Sequence, residues 1–84
     1  MPATIEEIRV ILQSSEFSEA EKEVVKWQFN LLGNFHAQLW RLIASADDDN
    51  LELIEKGFPM QVYGYRLWAI GDLAQRLRRA GLQI

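Results

Sequence analysis

The chain has 84 residues, 49% hydrophobic and 25% charged, with a formal net charge of −3, no cysteine and one histidine. That length holds one hydrophobic core, so residues 1–84 are read as a single domain, and the composition lies outside the regime of disordered chains. Disulfides and thiolate zinc sites are excluded, no apolar run approaches the roughly 20 residues of a bilayer span, and Met1 to Glu7 lacks the basic-then-apolar order of a secretory leader. A cytoplasmic protein without a membrane partner is expected.

The first helix is announced by Thr4-Ile5-Glu6-Glu7, a capping box in which a hydroxyl and a carboxylate three residues later satisfy each other's backbone N–H groups. Ile5, Ile8, Ile11 and Leu12 then share a face, and the helix is expected to end near Ser14. A second box, Ser18-Glu19-Ala20-Glu21, follows a tight connection at Ser14 to Phe17.

From Glu19 to about Ser45 there is no proline or turn cluster. Glu23, Lys26, Asn30, Asn34, Gln38, Arg41 and Ser45 recur at spacings of three and four, tracing one narrow polar stripe. The reading is a long central helix of about 40 Å, packed on its other sides, with any bend or break falling at Gly33-Asn34. Trp27 and Trp40 flank this hub and are assigned to the core.

Asp47 is the expected cap of a third helix of about ten residues, with Asp48 and Asp49 against the positive end of its dipole. Lys56-Gly57-Phe58-Pro59 is its stop: Gly57 is expected to adopt the left-handed conformation, Phe58 to fold back on Leu53, and Pro59 to open a fourth helix. That helix is predicted to run to about Ala80, with Tyr63, Leu67, Ile70, Ala74 and Leu77 inward and a kink at Gly71-Asp72. The fold class is therefore all-α, a compact bundle of three to four helices around a long central one, the second and fourth forming the main pair.

Catalytic constellations are not apparent. An EF-hand beginning at Asp47 would place Leu51 and Glu52 where an oxygen ligand and glycine are required, and Phe58 where the bidentate glutamate belongs. His36 has no serine or carboxylate partner at a nucleophile or metal spacing and is read as structural. The glutamate pairs are explained by capping and solvation. No enzyme activity, cofactor or metal is expected.

Charge is distributed in blocks: residues 1–25 carry six acids and two bases, 47–55 five acids, and 56–84 five bases against Asp72. Alternation of this kind complements helix dipoles. Nine aromatic rings exceed the needs of so small a core. On the fourth helix Gln61, Tyr65, Trp68, Asp72, Arg76 and Arg79 fall on one face, and Tyr, Trp and Arg together are the composition of an interface anchor. Tyr65, Trp68, Arg76 and Arg79 are accordingly interface candidates. Asp47, Asp48 and Asp49, or Glu16, Glu19 and Glu23, form a second candidate set, a charge mimic for a basic nucleic-acid-binding groove on a host protein.

Ala46-Asp47-Asp48-Asp49-Asn50-Leu51, Gly57-Phe58-Pro59 and the run Trp68-Ala69-Ile70-Gly71-Asp72-Leu73-Ala74-Gln75-Arg76-Leu77 resemble a type of short, uncharacterised all-helical protein carried by phages and prophages. The resemblance spans residues 47–82, under half the chain. It implies a small protein that blocks or adapts a larger host complex, as anti-CRISPR proteins do, and it implies no catalytic residues.

The functional expectation is a non-enzymatic protein–protein interaction module. One alternative is a nucleic-acid-associated regulator or antitoxin using Arg66, Arg76, Arg78 and Arg79. Another is a small structural protein that self-associates, with monomer and homodimer equally compatible with the sequence.

Overall fold

Thr4 and Ser18 start their helices by the same exchange. Each hydroxyl accepts the N–H three residues on at 3.2 Å, from Glu7 and Glu21, and each of those carboxylates accepts the cap residue's own N–H at 2.8 Å. The structure, a computed structural model, describes residues 3–84. Met1 and Pro2, at the head of the stretch read for leader character, lie outside the described residues.

Among the described residues there are six helices and no strand: α1 Ile5–Gln13, α2 Glu19–Gln28, α3 Asn34–Ser45, α4 Asp48–Gly57, α5 Pro59–Ala69 and α6 Asp72–Arg79. The long central helix is not present. Its 27 residues would extend about 40 Å, more than the 36 Å longest dimension of the molecule. The chain instead stops at Gln28 in a turn whose pivot is Asn30, at φ 58°. The N–H groups of Asn30 and Leu31 bond back to the carbonyls of Trp27 and Lys26, at 3.3 and 2.7 Å, which satisfies the last orphan carbonyls of α2. Gly33 then caps α3, so a break falls where Gly33-Asn34 marked it, but it is complete.

The predicted fourth helix divides in the same way. Gly71, at φ 84°, pivots between α5 and α6, and its N–H bonds to the Trp68 carbonyl at 3.0 Å. This rotates α6 out of register with α5 and overturns part of the expected inward stripe: Leu67 is half-buried and Ala74 and Leu77 are buried, whereas Ile70 is 75% and Tyr63 56% exposed. Ile5 also points outward, leaving Ile8 and Ile11 as the buried residues of α1.

At the α4–α5 corner Asp47 caps as expected, accepting the Asn50 N–H at 2.9 Å, and Pro59 opens α5. The stop works differently. Gly57 remains in the helix, and Phe58 turns toward Phe35, with ring centroids 6.0 Å apart, while Leu53 stays exposed.

Two apolar clusters result. The larger joins Ile8, Ile11, Phe17, Val24, Val25, Trp40, Leu73, Leu77 and Leu82; the smaller joins Leu39, Ile43, Leu51 and Val62, and Tyr65 packs against both. The expected pairing of the second helix with the chain after Pro59 appears as α2 against α5, the helix pair with the most extensive contact among the described residues. Gly64 permits that approach, since a Cβ there would lie 2.8 Å from the Ala20 carbonyl oxygen and 3.1 Å from a Val24 methyl.

Candidate functional site

A glutamate read as part of the wet stripe organises the centre. Glu23 accepts the indole N–H of Trp40 at 3.1 Å and the side-chain amide of the buried Gln61 at 3.1 and 3.2 Å, so one carboxylate ties α2 to α3 and α5. Trp40 is fully buried and stacks on Trp27 at 5.0 Å, the two rings inclined by 21°. Tyr65 at 6.3 Å and Trp68 at 6.4 Å close around Trp27, the latter edge-on. Pairs of this geometry add to area burial.

The sequence-derived anchors are therefore separated. Tyr65 and Trp68 are half-buried rings that support Trp27, while Arg76, carried on α6 beyond Gly71, faces the start of α2. There its guanidinium meets the Glu21 carboxylate, sits 5.2 Å above the Phe17 ring and reaches the Glu16 carbonyl at 3.4 Å. Burial pushes the Glu21 carboxyl up, but the Ser18 N–H and hydroxyl and the Arg76 guanidinium outweigh it and hold the group below its ordinary value of 4.5.

The other candidates are dispersed. Arg66 pairs with Glu55 at 2.9 Å and Arg78 donates to the Ile84 carbonyl at 3.0 Å, so of the four arginines expected to form a basic face Arg79 alone makes no hydrogen bond or ion pair among the described residues. Asp47 is occupied by capping, with Asp48 and Asp49 exposed in the first turn of α4. His36 is exposed beside a shallow depression shared with Glu19, Glu23 and Lys26. Among the described residues no group of three or more His, Asp or Glu side chains is placed to hold a metal ion, and no helix is long and apolar enough to cross a membrane.

Trp27 presents its outer side to a cleft of about 470 Å³, lined also by Asn30, Leu32, Ala37, Arg41, Ala44 and Ser45. The break after α2 makes this cleft, because Asn30 and Leu32 leave the helix there and form one wall. Ala37 and Ala44 line it from α3 with small side chains. Arg41 is exposed at the rim without an ion-pair partner among the described residues. A lining that combines an indole with a guanidinium suits an inserted apolar or aromatic group carrying an acidic function.

This site is hidden in the continuous-helix reading, in which Trp27 belongs to the core and Arg41 to a polar stripe. A signal existed in Ala37, Arg41 and Ala44, where small residues flank an arginine at helical spacing. It had no meaning while the helix was continuous. No protein-family model matches the chain, and no curated protein or solved structure matches it either.

Proposed function

We propose that the protein is a non-enzymatic binding module that recognises another protein through the Trp27–Arg41 cleft. The carrying observation is the half-buried indole, fixed by Trp40, Tyr65 and Trp68, beside an arginine with no internal partner. Tryptophan and arginine dominate interface energetics when a rigid pocket desolvates them, and rigidity lowers the entropic cost of association. The partner contributes an apolar or aromatic side chain next to a carboxylate. The phage-protein resemblance read in residues 47–82 is the ground for proposing a larger host complex as the target.

The test is affinity capture in parallel with the wild-type chain, Arg41→Glu and Ala44→Arg. Both changes lie on exposed positions, so folding is preserved, while charge reversal at the rim and a filled cleft each lower capture at least tenfold. Equal recovery of the same proteins by all three chains excludes the cleft as the recognition surface.

A further inference from the structure

The turn between α2 and α3 interrupts a pattern that does not itself stop. Polar residues spaced by three and four run from Glu23 and Lys26 through Asn30 and Asn34 to Gln38 and Arg41, and no proline stands between Glu19 and Ser45. What holds the turn is local. Its pivot, Asn30, takes the left-handed backbone at φ 58° without being glycine, a conformation that costs an L residue energy. α3 then begins with no side-chain cap, and a Cβ on its cap residue Gly33 would meet nothing within 4 Å. The principal contacts of the larger cluster, by contrast, join the chain before the turn to the chain after it. Glu23 holds Trp40 and Gln61, Trp27 stacks on Trp40, Ala20 backs Gly64, and Glu21 holds Arg76.

We infer that the turn is a hinge: in a second form of the protein residues 19–45 make one helix and two copies exchange halves, residues 3–28 of one packing on residues 34–84 of the other. Each contact just named crosses the turn, so exchange re-forms it between chains and gives new surroundings to residues 29–33 alone. The occupant is thereby fixed. Only the chain's own other half reproduces these contacts, which is why exchange of an identical element is a low-cost route to a dimer. A continuous helix also supplies partners for the backbone groups that two helix ends leave over.

The exchanged form lacks the Trp27–Arg41 cleft, because Asn30 and Leu32 make its wall only where they leave the helix. Exchange therefore switches recognition off. That consequence rests on the proposed function; the hinge does not.

Sedimentation velocity on chains refolded from denaturant at about 10 μM to about 1 mM, the range that covers weak association, tests it against the 9.7 kDa of one chain. Alanine at Gly33 is a better helix residue and a poorer cap, worth about fivefold per hinge, so with two hinges per dimer Gly33→Ala tightens the dimer on the order of 25-fold. Asn30→Ala acts in the same direction, since it disfavours the left-handed turn and favours the helix; Asn30→Gly acts in the other, toward single chains. Both positions are exposed in the compact form. An isolated dimer, on dilution, returns to single chains no faster than the fold opens. Single-chain mass for Gly33→Ala and Asn30→Ala at about 1 mM overturns the inference, as does an equal shift by Asn30→Ala and Asn30→Gly, or a dimer that dissociates faster than the single chain unfolds. If neither alanine variant dimerises while Arg41→Glu still lowers capture, recognition stands and the hinge falls. A Gly33→Ala dimer that captures the partner as well as the single chain does keeps the hinge and overturns the cleft as the recognition surface.

Discussion

The α2–α5 crossing and the outward face of α3 draw on the same vocabulary of aromatic, aliphatic and amide side chains, yet one is closed and the other open. At the crossing Gly64 brings two backbones together and Glu23 absorbs the polar atoms of Trp40 and Gln61, so no buried polar side-chain atom lacks a partner among the described residues. On α3 Phe35 and Leu42 stay exposed, and Phe58 is the ring that reaches Phe35. Residue type alone does not decide which surface becomes core; the position of the helix ends does.

Trp40→Ala gives the largest expected effect. It removes the fully buried indole and leaves Glu23 short of a donor, at a cost of about 3–5 kcal/mol, enough to unfold most of a domain this size in a urea or thermal melt. Gly64→Ala follows. Its methyl meets a backbone oxygen that cannot rotate away, so overpacking of about 1–3 kcal/mol outweighs the roughly 1 kcal/mol gained in helix propensity; unchanged or raised stability would show that α2 and α5 are less closely apposed. At the other extreme Phe35→Ser, on the open surface, is expected to shift stability by no more than about 0.5 kcal/mol. A shift of several kcal/mol in the melt would make that surface part of the core and erase the contrast.

Between these lies the Glu21–Arg76 pair. Because the Glu21 carboxyl titrates below its ordinary value in the fold, its contribution is complete above about pH 4.5 and is lost as pH falls through the lowered value. Glu21→Gln should therefore cost about 1–2 kcal/mol at neutral pH, the order of one charge-assisted hydrogen bond to a partly exposed arginine. Its stability should then fall less than that of the wild type on acidification, and parallel acid limbs would exclude the pair as their source.

What was legible in the sequence is what local chemistry decides. Thr4, Ser18 and Asp47 cap as their spacing dictates, and Pro59 opens a helix because its missing N–H is not needed there. At two places the sequence marks a bend, near Gly33-Asn34 and at Gly71-Asp72, where the helix ends outright, and the reason is shared. Asn30 and Gly71 each adopt a left-handed backbone in a segment whose apolar pattern continues on both sides, and periodicity cannot distinguish a phase that persists from one that restarts. The continuous-helix reading thus placed Arg76 beside Trp68 and buried Phe35 and Leu42. The candidate cleft was illegible on the same account, since one of its walls consists of residues that leave the helix.

Glu21 has a consequence for how the molecule opens. One of its carboxylate oxygens closes the capping box on the Ser18 N–H and the other holds Arg76, 55 residues away. The first turn of α2 and the body of α6 are thereby latched through a single group, so neither frays alone. In hydrogen exchange the amides of residues 18–22 and 72–79 should behave as one cooperative unit, exchanging together and at a common free energy, although the chain that separates them passes through three other helices.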